Sequence, residues 1–426
     1  MINYNWENIF KDVEKCNISD VEYEKLTNSV SVNKHTLAVC NICKYINDNK
    51  LTKTEIDALK DSLKKCAAFY NSHNDNRERH FGFPANMLSR SVIYDFFTEY
   101  ERYAFLANNC GDTYESSDYL MDSKSVEQEL LKLFAEKFAL SDNFWGYVTS
   151  GGSESNAWGI ENAFGTNPGG ILYYCQSAHY SVAKTAKHYQ NIVIPQMSST
   201  DESINVDILL NTINENLDKP VNLLLTYGTT KYGSCDNVSE IVKRLKDKNL
   251  KFYIHLDAAL FGGIPNNQVD APKIENITSL GINSISVSLH KYIGIPVVKS
   301  VLLSVEKPQE TEVVDYIGQK DSTTSGSRDL FPFSMLQQAK EILTKSNSDD
   351  YRRNIVIFQK LLEENNIPYF RAHLSNMFVI DQPSQDVCKK YQLSCFEDIE
   401  KKNKAHIIIF PYHTKTSMED LVGALG

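Results

Sequence analysis

Ser284 to Pro296 reads "SISVSLHKYIGIP", and this stretch decides how the chain is read. Its first six residues alternate, with Ile285, Val287 and Leu289 on one face and Ser284, Ser286 and Ser288 on the other. Period-two alternation marks a β-strand, and this strand ends in His290 and Lys291. A lysine at the end of a buried strand is rarely there for packing. Desolvation or a nearby cation lowers its pKa and makes the amine a nucleophile toward a carbonyl.

Around this stretch, from about 143 to 303, short apolar runs alternate with polar or helical segments: "FWGYVT", "GILYYC", "NIVIP", "NLLLTYG" and "KFYIHLD". Strands alternating with helices predict an α/β unit with a largely parallel sheet, whose ligands collect at the carboxyl ends of the strands. Several other strands end in reactive groups. "GYVTSGGSESNAWGI" runs from a strand through Ser150-Gly151-Gly152-Ser153 into a helix opening near Glu154. Glycines let the backbone approach a ligand, a helix N-terminus attracts an anion, and Ser153 adds a hydroxyl. This stretch is neither a Walker loop nor a dinucleotide fingerprint. Asp257 closes "KFYIHLD", a run too apolar for the surface, so its carboxylate needs a cation or several donors. The small Ala258 and Ala259 beside it would let a flat ring lie close. Thr229 and Thr230 follow one strand and His179 another.

An anion loop, a flat-ring platform, a buried carboxylate and a strand-end lysine together match the needs of pyridoxal 5'-phosphate. The phosphate takes the loop, the pyridine nitrogen the aspartate, and the aldehyde the lysine.

The 426 residues exceed one ordinary core, so two or three packed units are expected. A net charge of −10 argues against a nucleic-acid partner. No signal peptide and no apolar run of membrane length is visible, which predicts a soluble cytosolic protein. The nine scattered cysteines suit reduced thiols. Cys40 and Cys43 form a lone CxxC, read as part of a helix, and no metal site is expected. Residues 1 to about 75 show helical spacing, with Thr54 a cap for "EIDALKDSLKKC", and 71–80 reads as a polar loop. The segment 125–140 is a strongly amphipathic helix. After about 306 come a Gly/Ser-rich loop, a long helical segment from Gln337 to Leu362, and the strands "NMFVI" and "HIIIFPY". The expected organisation is a helical segment over 1–80, a large α/β unit over 81–305 and a small α/β unit over 306–426.

The stretches "HFGFPAN", "NNCGDTYESSDYL", "WGYVTSGGSESNAWGI", "AHYSVAK", "YGTTKYGSCDNV", "YIHLDAALFGG", "SVSLHKYIG" and "TSGSRDLFP" occur in one order over residues 75–426. In them the chain resembles the group II pyridoxal-phosphate decarboxylases of fold type I, within the branch of bacterial histidine decarboxylases and plant serine decarboxylases. The resemblance implies that the large unit binds the cofactor and that the enzyme is a homodimer acting on histidine or serine. It makes Lys291 the Schiff-base lysine, Asp257 the partner of the ring nitrogen, His179 the residue stacked on one ring face and Ala259 the small residue on the other. Gly152, Ser153, Ser288 and His290 become the phosphate-holding group. Thr229 and Thr230 lie near the ring oxygen and the substrate carboxylate, in an order left open. Phe83, Pro84 and Asn86 become substrate contacts, and the Asp321–Asp329 loop either reaches a neighbour's site or is a surface loop with an Arg328 salt bridge. His179 or a tyrosine would return the proton.

The sequence departs from the family at Val297, Val298 and Lys299, at Asp329 where asparagine is common, and at Ser153 and Ser155. Other fold-type-I chemistry (transamination, desulfuration or oxidative decarboxylation), a non-catalytic pathway protein and a nucleotide-binding α/β protein are the competing readings.

Overall fold

The computed structural model describes residues 11–12, 34–62, 65, 79–86, 108–116, 122–308, 312–329 and 331–426, in two compact units, Met1–Arg77 and Glu78–Gly426. In the first unit, helix α1 (Lys34–Asp48) buries Cys40 and Cys43, and Asn47 bonds the Cys43 sulfur. A second helical run covers 53–62. Its cap is Thr52, where Thr54 was expected. The Thr52 hydroxyl accepts from the Glu55 amide and the Glu55 carboxylate accepts from the Thr52 amide, a reciprocal box that fixes the helix start two residues earlier. Of the loop expected over 71–80, residues 71–78 lie outside the described residues.

The second unit is built on seven strands: β1 (Trp145–Thr149), β2 (Ile171–Cys175), β3 (Asn191–Ile194), β4 (Val221–Thr226), β5 (Phe252–Asp257), β6 (Ser284–Ser288) and β7 (Ser300–Ser304). Their order across the sheet is β1-β7-β6-β5-β4-β2-β3. Every pair is parallel except the two made by β7, which runs against both β1 and β6. Two reversals cancel, so the carboxyl ends of all strands but β7 face the same edge. Strands β2, β4 and β6 are buried along their whole length. That is why "ILYYC" and "VNLLLT" read as continuous apolar runs.

Helix α2 (Lys124–Lys137) packs Leu130, Leu131 and Phe134 into the main core. Helix α3 (Gly152–Thr166) follows β1 directly, and the short α4 (Tyr180–Ala186) follows β2. The helical segment expected from Gln337 to Leu362 is two helices, α5 (Phe333–Lys345) and α6 (Asp350–Glu364). The break lies in "SNSD", where the Asn347 amide donates to the Asp350 carboxylate and the Asp349 amide to Asn347 Oδ1. Such short polar side chains compete with the helical ladder. The chain ends in an antiparallel sheet of β8 (Met377–Asp381), β9 (Ser394–Glu397) and β10 (Asn403–Ile408), ordered β8-β10-β9, and helix α7 (Lys415–Leu425). Among the described residues no helix is long and apolar enough to cross a membrane.

Candidate active site

Strand β6 stops at Ser288, short of the two residues expected to end it. His290 and Lys291 stand on a single π-helical turn, Leu289–Ile293, closed by Gly294 at φ 77°. Isolated π-turns gather at functional sites. Buried Leu289 and Ile293 root this one in the core. Asn86 clamps it from outside: its amide donates to the Lys291 carbonyl and its Nδ2 to the Tyr292 carbonyl, each at 2.8 Å. A Cβ on Gly294 would lie 2.1 Å from the Asn86 carbonyl oxygen, so only glycine fits the close of the turn.

Lys291 opens into a cavity of about 350 Å³ at the common carboxyl edge of the sheet. Its wall brings together Gly152, Ser153, His179, Thr230, Asp257, Ala259, Ser288, His290 and Lys291 from the expected set, with Ser150, Gly151, Glu154, Asn156, Thr226, Gly228 and Val298 besides. Thr229 is not in the wall. Its hydroxyl accepts from the Ser234 amide and bonds the buried Glu202 carboxylate, one residue behind Thr230. Phe83, Pro84 and Asn86 are not in it either: Phe83 is exposed and Asn86 is buried against the lysine turn.

The anion loop fits its expected shape. Gly151 has φ 140°, and a Cβ there would lie 3.0 Å from Val298; one on Gly152 would lie 3.1 Å from the Ser288 hydroxyl. Helix α3 starts at Gly152, and Glu154 folds back to accept from the Ser150 amide at 2.9 Å. Ser155, one of the departures, is buried and bonds Thr149 at 2.8 Å. Two more departures meet each other: Lys299 Nζ lies 2.7 Å from Asp329. The Asp321–Asp329 loop bonds residues of this chain that flank the anion loop, through Ser325 to Glu154 and the Thr324 amide to the Tyr147 hydroxyl. Arg328 is buried, unlike a surface salt bridge. It pairs with Glu127 at 3.4 Å, donates to the Gly111 carbonyl and lies over the Tyr147 ring.

Behind Asp257 runs a relay that the sequence reading missed. Asn162 donates to the Tyr253 hydroxyl, Tyr253 to Ser284, Ser284 to His255 Nδ1, His255 Nε2 to Asn156 Oδ1, and Asn156 Nδ2 to Asp257 at 2.7 Å. Ser286 also donates to Asn156, and the Ala259 amide caps the other carboxylate oxygen. Burial pushes His255 down to about 4, so it is neutral at pH 7 and fits this one direction of donation. A Cβ on Gly159 would lie 2.2 Å from the His255 ring, so α3 needs glycine there. The signal was in the strands. Tyr253, His255 and Asp257 share one face of β5, and the three serines share the adjoining face of β6.

Burial lowers the pKa of Lys291, opposed by the negative charge of Asp257. Burial also lowers that of His179, again against Asp257. His179 caps α4 by accepting from the Ser181 amide at Nδ1, which leaves the proton of its neutral form on Nε2.

Residues 168–335 match the pyridoxal-dependent decarboxylase conserved domain. Histidine decarboxylase of Pseudomonas entomophila (strain L48) is 33% identical over 332 residues, 74% of this chain and 79% of the relative. Serine decarboxylase 2 of Oryza sativa subsp. japonica is 31% identical over 368 residues, 83% of this chain and 75% of the relative. L-methionine decarboxylase of Streptomyces sp. 590 superposes with a TM-score of 0.73 at 17% identity, over 86% of this chain and 95% of that one, a likeness of fold. With a glycine-built anion loop, a buried carboxylate and a desolvated lysine at one cavity, the residues present fit pyridoxal 5'-phosphate, the cofactor of this enzyme. The chain belongs to the pyridoxal-dependent decarboxylase family and is a fold-type-I, pyridoxal-phosphate-dependent amino acid decarboxylase.

Proposed function

We propose that this enzyme removes the carboxyl group of L-histidine or L-serine, giving the amine and carbon dioxide, at the cavity beside Lys291. The observation that carries the reading is the meeting of Lys291, Asp257, His179 and the Gly151–Ser153 loop on one wall. The narrowing to histidine or serine is supported by the two relatives above. Gly152, Ser153, Ser288 and His290 would hold the phosphate, Asp257 the ring nitrogen, and Lys291 the aldehyde carbon. His179 and Ala259 would flank the ring, and Thr230 rather than Thr229 would face the ligand. When bound, the cofactor supplies the electron sink for the pair left on the α-carbon as carbon dioxide departs.

The protein's own part follows from its surroundings. A lysine desolvated at the end of β6 holds a larger unprotonated fraction than one in water, which a nucleophile requires. The Asp257 carboxylate is aimed by Asn156 and the Ala259 amide, so it meets a protonated ring nitrogen without reorganising. Burial keeps His179 neutral, which suits stacking on a ring face.

We also infer a cytosolic homodimer, with the Asp321–Asp329 loop near the partner's site. Val313, Tyr316 and Phe333, apolar and more than half exposed on the single chain, support an interface there. Light scattering tests the dimer, and a monomer at working concentration would refute it. For the reaction, holoenzyme is incubated with each common L-amino acid while carbon dioxide and amine are measured. Release from histidine or serine is expected. A keto acid without carbon dioxide would overturn the substrate and reaction together. Lys291→Ala should abolish turnover and leave the fold intact.

A further inference from the structure

We propose that Lys299 and Asp329 form a latch that fastens the 321–329 loop beside the anion-binding end of the cavity, holding its wall together, and sets how long the cofactor stays bound. This rests on the reading of the cavity given above. Lys299 follows Val298, a wall residue, and its carbonyl accepts from the Leu289 amide and from His290 Nδ1 at 3.2 Å. Its backbone is therefore tied to the turn that carries Lys291. Its side chain is 9% exposed, and the ammonium meets Asp329 at 2.7 Å. Asp329 closes a loop that is also stitched by Ser325 to Glu154, a wall residue bonded to the Ser150 amide, by the Thr324 amide to the Tyr147 hydroxyl and by Trp158 Nε1 to the Ser322 carbonyl. The loop thus joins the Ser150–Glu154 segment to the Val298–Lys299 segment, which meet where Gly151 lies against Val298 at the anion end.

The two charges each supply the other's partner. A sequestered ammonium needs a carboxylate; without one it is an uncompensated charge. The Asp329 carboxylate is mostly exposed, so the pair is a fastening that opens at modest cost rather than a core element.

A latch differs from a direct pull of the Lys299 charge on the phosphate. Asp329→Asn leaves the cation in place and frees it. A direct pull would then strengthen and slow cofactor release; a broken latch speeds it. Release from holoenzyme is timed by capture of free pyridoxal phosphate with an excess of an apo acceptor enzyme, alongside urea unfolding of the apoprotein. Asp329→Asn and Lys299→Met should each release cofactor about two- to fivefold faster, the change carried by a modest ion pair. The apo unfolding midpoint of Asp329→Asn should fall, because Lys299 loses its partner, yet the protein stays folded, and the exchanged pair Lys299→Asp/Asp329→Lys should recover part of the slow release. Wild-type or slower release from Asp329→Asn, which alters an exposed residue and keeps the protein folded, overturns the latch. A wild-type protein that holds no cofactor overturns the reading of the cavity and the latch with it.

Discussion

Replacing Asn156 with alanine cuts the relay where it reaches the carboxylate. The wild-type amide gives Asp257 a 2.7 Å hydrogen bond and accepts from both His255 and Ser286. A hydrogen bond to a charged group contributes about 1.5–3 kcal/mol. The two stranded donors would each cost more, but Asn156 borders a cavity of about 350 Å³, so water can enter and meet them. The expected loss is about 2–3 kcal/mol of apoprotein stability by urea unfolding. With Asp257 less well aimed, pyridoxal phosphate should bind about tenfold more weakly, a change of about 1.4 kcal/mol, read by fluorescence titration. Ser155→Ala is the control. It removes a neighbouring buried hydroxyl whose partner is Thr149, so it should lower apo stability by about 1 kcal/mol and leave cofactor affinity unchanged. If Asn156→Ala binds the cofactor as tightly as wild type, the relay does not position Asp257.

Lys291→Met should make the apoprotein more stable at pH 7, because the folded state no longer shelters an amine whose pKa is lowered by burial. The sign is fixed by proton counts: between the lowered folded pKa and the ordinary 10.5, the unfolded chain binds more protons, so wild-type stability rises with pH there and the variant's gain shrinks. A gain that grows with pH would contradict the burial argument. Gly294→Ala must displace Asn86 and adopt φ 77°, so it should release the lysine turn and cost at least about 1 kcal/mol in apo unfolding, together with cofactor binding. An unchanged protein would remove the clamp. Arg328→Met strands Glu127 in the core, where the Val148 amide and Asn109 still donate to it. A loss of about 3 kcal/mol is expected from denaturant unfolding, and a neutral result would class the pair as dispensable.

Strands β2 and β4 were legible because both faces are buried, so their runs are almost wholly apolar, and β6 because apolar residues alternate with serines along it. Lys291, Asp257, His179 and the glycine loop were legible too, because each lies at or just past the carboxyl end of a strand of the main sheet. What escaped depends on contacts distant in sequence or on one-residue differences in backbone. Asn86 clamps the lysine turn from 206 positions away, and no local pattern marks it. Thr229 and Thr230 are chemically alike, and only the turn after β4 decides which faces the cavity. His255 was visible as the residue two before Asp257 on one strand face, yet its value lies in Asn156, supplied by another element. Lys299 and Asp329 looked like separate departures until the fold brought them together.

Reduction of the holoenzyme with borohydride, followed by peptide mapping, tests the assignment of the cavity most directly. The account predicts a pyridoxyl group on Lys291 in the peptide containing "SVSLHKYIG", and none in Lys291→Ala. A pyridoxyl group fixed to another lysine, or an unmodified Lys291 in active enzyme, would contradict it.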